Sequence, residues 1–241
     1  MLKAHSRKAP WNKTLRNIST ALALSTLIAC ASSNPLDPQL EEAIRWYTGE
    51  TGSVDDERAR ILLESAASDN DPLSRMWVAR VYSTGRMTFP ADKALAVQIA
   101  ASVITQVEVL AEAGNAEAMF LMGTAYAEGL AKSQDPITAL TWYRRAADQQ
   151  HVLAQHNIGN AYSSGTGVEA SNEMAAYWWQ LAAQQGDAVV QYRLAQLFEQ
   201  GLGVPQDMSV ALRWYADSAR RGNDNAKQAL TRLGVPLQSA Q

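Results

Sequence analysis

The chain of 241 residues contains a single cysteine, Cys30, and only three histidines. A single cysteine cannot close a disulfide within the chain or supply the clustered thiolates of a structural zinc site. The two histidines beyond Cys30, His151 and His156, are not part of a His-Glu-x-x-His pattern. The sequence therefore predicts no metal site, no cofactor and no catalytic residues.

Acidic residues are absent from the first 17 positions, which carry five basic residues, and the segment 18–29 (ISTALALSTLIA) is uncharged. A basic stretch followed by a short apolar stretch is typical of a secretory signal peptide. The apolar stretch is too short for a transmembrane helix, which needs about 20 residues. The sequence predicts a signal peptide over residues 1–29 that is removed on export.

The end of this leader, Leu27-Ile28-Ala29-Cys30, resembles the lipobox of bacterial lipoproteins. The resemblance implies cleavage before Cys30, acylation of its thiol and new amino group, and a flexible tether over 30–38. Two or more acyl chains give stable membrane anchoring. Because Ala31 rather than aspartate follows the cysteine, the lipoprotein sorting rule implies the outer membrane, with the protein facing the periplasm. The alternative is an ordinary signal peptide with Cys30 as a bystander.

Basic residues are also scarce once the leader is removed. Cleavage takes away five of the 21 lysines and arginines and none of the 24 acidic residues, which leaves a net charge of −8. Nucleic-acid binding depends on the neutralisation of phosphates by cationic side chains. The mature chain is therefore predicted to have no nucleic-acid partner.

A motif recurs with a period of 36 residues: TWYRRAA begins at Thr141, YWWQLAA at Tyr177 and RWYADSA at Arg213. Repeats of 20–50 residues are typical of solenoids. The predicted repeat array covers 39–233 and ends before a tail at 234–241. Its parts are a degenerate capping unit (39–72), a long unit (73–115), three regular units (116–151, 152–187, 188–223) and a capping helix (224–233).

Each unit is predicted to contain two helices, because apolar and small residues fall at positions i, i+3, i+4 and i+7. Residues that favour helix ends recur in register. The predicted N-caps are Asp71, Asn115, Asp135, His151, Ser171, Asp187, Asp207 and Asn223, and the predicted C-cap glycines are Gly85, Gly129, Gly165 and Gly201. No useful length alternates with a period of two, so no sheet is predicted.

The best copy reads Gly159-x2-Tyr162-x2-Gly165-x-Gly167-Val168, followed by WWQLAA from Trp178. This pattern resembles the Sel1-like repeat, which is related to tetratricopeptide arrays, over 73–233 closely and over 39–72 loosely. The resemblance implies an all-α fold, a right-handed superhelix (solenoid) of antiparallel helix pairs. The first regular copy departs from the pattern, with Ala131-Lys132 in place of Gly-Val and Gln150 in a glycine slot.

Several residues are assigned structural roles. Gly123 and Gly159 would let two helices approach closely, while Trp142, Trp178 and Trp214 would fill the space between successive units.

Residues 92–113 lack glycine and proline, so they could form one helix of about 33 Å. The side chains of Val103, Ile104 and Val107 would then project past the next helix pair as a second docking edge, or the excess length would pack on the N-terminal units.

The first helices of tetratricopeptide-like pairs line the concave face, and a stripe of paired positions can be read there. Gly123, Gly159 and Ala195 occupy the same position in successive first helices. The residues three before and one after this position lie on one stripe of each helix. One column holds Met76, Phe120, His156 and Tyr192, and the other holds Arg80, Thr124, Asn160 and Gln196. Large side chains beside hydrogen-bonding groups suit an extended peptide, so these eight residues are the predicted partner-binding groove. The alternative for Met76 and Phe120 is packing against the adjacent first helix.

Three functions remain open at this stage. The first is a membrane-anchored periplasmic scaffold that binds a protein or peptide partner. The second is a dedicated assembly factor of an envelope machine such as exopolysaccharide export, which the resemblance implies because some similar repeat lipoproteins act in this way. The third is a cell-wall or β-lactam-processing enzyme, which the resemblance implies only weakly, because this chain lacks the regular disulfides of the family members so described. The sequence favours a non-enzymatic protein without a small-molecule substrate.

Overall fold

A computed structural model describes residues 36–236 of the chain. The predicted signal peptide, Cys30 and the tail beyond residue 236 lie outside the described residues. Residues 36–236 fold as eleven helices without a strand. They are α1 (Pro38–Thr48), α2 (Asp56–Ser68), α3 (Pro72–Thr84), α4 (Lys93–Glu112), α5 (Ala116–Glu128), α6 (Pro136–Ala147), α7 (Val152–Ser164), α8 (Asn172–Gln184), α9 (Ala188–Gln200), α10 (Met208–Arg220) and α11 (Asp224–Arg232).

Helix ends follow the predicted caps. Every predicted N-cap side chain accepts a hydrogen bond from a backbone N–H of the first turn, including the imidazole of His151 from Ala154. The four predicted C-cap glycines all have a positive φ, between 67° and 73°. These local signals divide the chain into the five predicted helix pairs and a final helix, α11.

Helices pack in consecutive pairs, α1 with α2, α3 with α4, and so on to α9 with α10, and each pair contacts the next. The predicted close approach occurs inside a pair. A Cβ on Gly123 would lie 2.5 Å from Cδ1 of Tyr143, and a Cβ on Gly159 would lie 2.2 Å from Cδ1 of Trp179. In these two repeats, the second residue of the Trp-Tyr or Trp-Trp motif therefore fills the space that a side chain at the glycine would need.

The first aromatic residues contact neighbouring units, as predicted, but they are less buried than the second. Trp142 is 8% exposed and belongs to the main apolar cluster, whereas Trp178 and Trp214 are only partly buried, against clusters that include residues of preceding units. Tyr143, Trp179 and Tyr215, by contrast, are at least 95% buried. The core of each repeat is thus built on the second aromatic residue, which sequence analysis did not single out.

Helix α4 begins after its N-cap Asp92 and ends at Glu112, as the absence of glycine and proline predicted. The prediction that Val103, Ile104 and Val107 project past the next pair is wrong. Val103 and Val107 are buried and Ile104 is partly buried against the main apolar cluster. Helix α4 packs against α3 of its own unit and α5 of the next, whereas the stated alternative placed the extra length on the N-terminal units.

Helix α1 lies close to several later units of the array. It packs mainly on α2, and one of its faces lines a cleft with residues from the N-terminal ends of α5 and α7 and the turn before α9. The loop after α1 reaches the turn between α10 and α11. There the Arg221 side chain donates a 2.8 Å hydrogen bond to the Gly49 carbonyl, and the Val54 N–H donates one of 2.8 Å to the Arg221 carbonyl. We call these two bonds the clasp, because they join the first unit to the last.

Candidate binding site

The eight residues of the predicted groove lie on four successive first helices, α3, α5, α7 and α9, with two residues on each. The structure divides them into halves. Met76, Phe120, Thr124 and Arg80 are 0%, 0%, 1% and 5% exposed, whereas the other four are partly exposed. The N-terminal half of the predicted groove is therefore buried, and Phe120 packs against Trp77 of the adjacent first helix, α3.

Aromatic rings account for much of this burial. The Phe120 ring stacks on the His151 ring, with centroids 4.7 Å apart, and lies 5.8 Å from the Trp77 ring. Glu117 joins those two neighbours, because its carboxylate accepts a 2.6 Å hydrogen bond from Nε1 of Trp77 and lies 3.0 Å from Nε2 of His151. The Nδ1 of His151 accepts the Ala154 N–H, so Nε2 carries the proton of the neutral ring.

Thr124 is enclosed by the second helix of its own pair. Its hydroxyl accepts a 3.3 Å hydrogen bond from Tyr143 and donates one of 3.2 Å to the Phe120 carbonyl. Burial raises the pKa of Tyr143, and its hydrogen bond to Thr124 only partly offsets that effect. The phenol is thus held as a neutral donor and offers no acid–base chemistry near pH 7.

The C-terminal half of the predicted groove is partly exposed but already engaged in internal hydrogen bonds. His156 Nδ1 lies 2.8 Å from the buried Asp187 carboxylate, which also caps α9. Asn160 Oδ1 accepts hydrogen bonds from Trp179 Nε1 at 3.2 Å and from Arg193 at 2.9 Å. These side chains connect α7 to α8 and α9, so their substitution would disturb the fold as well as any binding.

A longer row of polar side chains runs from the loop after α3 along α5, α7 and α9 to the end of α11. We call it the polar strip, and its members are Arg86, Glu128, Asn157, Asn160, Arg193, Gln196, Glu199 and Arg232. Two ion pairs mark its ends, Arg86 with Glu128 at 2.9 Å and Arg232 with Glu199 at 2.7 Å. The polar strip thus offers paired charges and amide groups of both hydrogen-bonding types.

Two open clefts lie along the polar strip. One, of about 230 Å³, is lined by Arg86, Glu128, Asn157 and Asn160 together with Tyr143 and Ser164. The other, of about 420 Å³, is lined by Tyr192, Gln196, Glu199 and Arg232 together with exposed Gln200, Asn225 and Gln228. The larger cleft is lined mostly by polar side chains, whereas apolar residues such as Pro136 and Leu140 also line the smaller one. Both clefts are open to solvent, which suits contact with a polypeptide surface better than enclosure of a small molecule.

Glu199 is the most strongly bonded acid of the polar strip. It accepts a 2.6 Å hydrogen bond from the Tyr215 hydroxyl and two from Arg232. Burial alone would raise the pKa of Glu199, but hydrogen bonds from Tyr215 and Arg232 outweigh it and lower that pKa. Burial and the Glu199 carboxylate raise the pKa of Tyr215.

Sequence analysis missed the polar strip beyond Asn160 and Gln196. One signal could have found part of it. Extending the predicted stripe by one helical turn, four residues past Thr124, Asn160 and Gln196, gives Glu128, Ser164 and Gln200, all of which line the two clefts. Arg86 and Arg232 come from a loop and the final helix, outside the repeat register, so no periodicity identifies them.

Two further features concern metals and membranes. Within residues 36–236, no group of three or more potential metal-ligating side chains lies close enough together to hold an ion. One described helix, α4, is long and apolar enough to cross a membrane by length and composition, with a mean hydropathy of 1.7. It packs against α3 and α5 as the second helix of its unit, and its buried residues are Ala96, Ala100, Val103, Val107 and Ala111.

Comparison with known proteins identifies the repeats. A model of the Sel1 repeat matches residues 47–71, 116–151, 152–187 and 188–223, which make up more than half of the chain. The chain therefore belongs to the Sel1 repeat family. Members of this family are generally protein–protein interaction scaffolds and typically have no enzymatic activity. No curated protein matched the chain.

Solved structures agree with this assignment. A protective antigen of uropathogenic Escherichia coli with an SLR fold is 27% identical, with a TM-score of 0.52, over 78% of this chain and 46% of that protein. A Sel1 repeat protein from Oxalobacter formigenes is 32% identical, with a TM-score of 0.51, over 54% of this chain and 97% of that protein. The chain thus spans less than half the length of the Escherichia coli antigen. These likenesses support an α-helical solenoid of Sel1 repeats.

Proposed function

We propose that this protein is a lipid-anchored scaffold of the periplasm that binds a protein or peptide partner along the polar strip. The observation that carries the proposal is the polar strip itself. It follows three successive first helices, α5, α7 and α9, between the loop after α3 and helix α11, and its clefts expose amide and charged groups that can pair with a polypeptide backbone and side chains. Repeat arrays use such extended surfaces for binding.

The proposed location is the periplasmic face of the outer membrane, with acylated Cys30 as the tether. The four residues from Leu27 to Cys30 and the basic leader support it. Replacement of Cys30 by serine is expected to abolish labelling by an alkyne fatty acid and to remove the protein from the outer-membrane fraction. Unchanged labelling and fractionation of Cys30→Ser would contradict lipid anchoring but would leave the binding surface untouched.

Site-specific photo-crosslinking in cells tests the binding surface without disturbing the fold. A photoreactive residue at exposed Gln228, in the larger cleft, is expected to give a crosslinked partner. The matched control is the same residue at Ile137, which is 68% exposed at the start of a second helix. A partner captured from position 137 and not from position 228 would place recognition away from the polar strip.

A further inference from the structure

A further open cleft is bounded by the loop after α1, the end of α8, the start of α9 and the C-terminal half of α10. We call it the clasp cleft, and its lining includes Gly52, Gln184, Gln191, Trp214, Asp217 and Arg221. Its volume of about 580 Å³ lies within the roughly 300–1,000 Å³ typical of ligand sites. It shares no residue with the polar strip or with the two clefts along it, so it is a separate surface.

A buried amide in this lining has an acceptor without a donor. Gln191 is 3% exposed, and its Nε2 donates a 3.0 Å hydrogen bond to the Ala183 carbonyl. Its Oε1 atom has no hydrogen-bond partner among the described residues. Native proteins satisfy nearly all buried polar groups, because an unpaired one costs about 1–3 kcal/mol. The Gln191 side chain therefore calls for a donor at this position.

The preceding repeat shows which donor is missing. Gln155 lies 36 residues before Gln191 and is also 3% exposed, and its Oε1 accepts a 2.9 Å hydrogen bond from Nε2 of Gln185. The residue 36 positions after Gln185 is Arg221, whose guanidinium instead donates to the Gly49 carbonyl. The clasp thus takes away the donor that the repeat register would supply to Gln191.

The rest of the clasp cleft combines one aromatic ring with planar polar groups. The Trp214 indole is partly exposed, and the exposed Gln184 amide offers both donors and an acceptor. The Asp217 carboxylate forms an ion pair with Arg220 and adds further acceptor positions. Apart from Trp214, the only apolar side chain of the lining is that of Ala183. Such a lining lacks the apolar pockets that the side chains of a bound peptide need.

A saccharide matches this set of groups. Each sugar hydroxyl can donate and accept at once, so one hydroxyl can donate to Gln191 while another bonds to the amide of Gln184. The ring of a pyranose also has an apolar face of C–H groups. That face can stack on the indole of Trp214, because the face of an aromatic ring is electronegative.

We infer that the clasp cleft is a saccharide-binding site, in which Trp214 stacks on a sugar ring and Gln184 and Gln191 bond to its hydroxyls. This activity goes beyond the proposed function, because it involves a different class of ligand and none of the residues of the polar strip.

Isothermal titration calorimetry of the mature chain, carrying Cys30→Ser, tests the site with three tetrasaccharides. They are cellotetraose, chitotetraose and tetragalacturonate, which present plain hydroxyl, N-acetyl and carboxylate groups. Saturable binding of at least one of them is expected at millimolar concentration. The peptide control, acetyl-tetraalanine amide, is expected not to bind.

Two variants of the clasp cleft locate the bound saccharide. Gln184→Ala removes an exposed amide, so the affinity should fall about tenfold while the melting temperature stays unchanged. Trp214→Phe keeps an aromatic ring between the units but shrinks the stacking face, and it should also weaken binding. Gln228→Ala, at an exposed position in the larger cleft of the polar strip, is the matched control and should bind the saccharide as the parent does.

The absence of saturable binding with all three tetrasaccharides would overturn the inference. Equal affinities of Gln184→Ala, Trp214→Phe and the parent would also overturn it, because the saccharide would then bind elsewhere. Binding of the peptide as tightly as the saccharide would assign the cleft to a polypeptide instead. Photo-crosslinking from position 228 is independent of all three outcomes.

Discussion

Replacement of Gly159 by alanine tests the close approach on which each repeat depends. The new Cβ would lie 2.2 Å from Cδ1 and 2.4 Å from Nε1 of Trp179, far inside van der Waals contact. The indole cannot retreat freely, because it is buried and its Nε1 donates to Asn160. The change therefore forces α7 and α8 apart.

The magnitude follows from three terms. Overpacking of a well-filled core costs about 1–3 kcal/mol, and loss of the hydrogen bond to Asn160 adds about 1 kcal/mol. Alanine gains about 1 kcal/mol over glycine in helix propensity. The free energy of unfolding should therefore fall by about 1–3 kcal/mol, and the melting temperature by about 2–4 °C for each kcal/mol.

Urea unfolding followed by circular dichroism gives the required free energies. Ala195 occupies the equivalent slot in the next unit and is fully buried in the same apolar cluster as Tyr215. Ala195→Gly is therefore the reverse substitution, and it should lose about 1 kcal/mol of helix propensity and about 1 kcal/mol for the buried methyl group. Adding Trp179→Phe to Gly159→Ala should recover part of the loss, because the smaller ring leaves room. A Gly159→Ala variant as stable as the parent, or more stable, would refute the close-approach argument.

Two further predictions concern other parts of the array. Val107→Ala should lower the free energy of unfolding by about 1–3 kcal/mol, because it leaves a cavity under α4. Val109→Ala, at a position that is 64% exposed, should change that free energy little. Equal effects of the two substitutions in urea unfolding would argue against this orientation of α4. Glu199→Gln should destabilise at pH 7, because the lowered pKa of Glu199 gives stability only while the carboxylate is ionised. The difference should be full above the unfolded pKa of about 4.3 and should shrink as the pH falls from there through the lowered pKa of the folded state; a difference that is the same at acid pH as at pH 7 would contradict the ion-pair assignment.

The repeat boundaries could be predicted from sequence because helix caps are local. A side chain such as Ser171 or Asp207 bonds to N–H groups two or three residues away, so its position alone fixes where a helix begins. The C-cap glycines are equally local, since only the conformation of one residue is at issue. The Sel1 pattern follows from these signals and from the regular aromatic pairs.

The candidate site was only half predictable. The stripe placed His156, Asn160, Tyr192 and Gln196 on one partly exposed face, since helical geometry sets which residues share a face. It could not show that Arg80 and its neighbours are buried, because burial depends on elements distant in sequence.

The sequence by itself determined the eleven helices, their pairing and the family, because each depends on short-range hydrogen bonding and on a repeat period of 36 residues. Only the tertiary structure decided which part of the first-helix face is open. Helix α1 lines a cleft with residues of α5 and α7, and the clasp joins Gly49 to Arg221 across 172 residues. Whether two residues so far apart in sequence meet depends on the curvature accumulated over all the units, and a local sequence pattern does not encode that curvature.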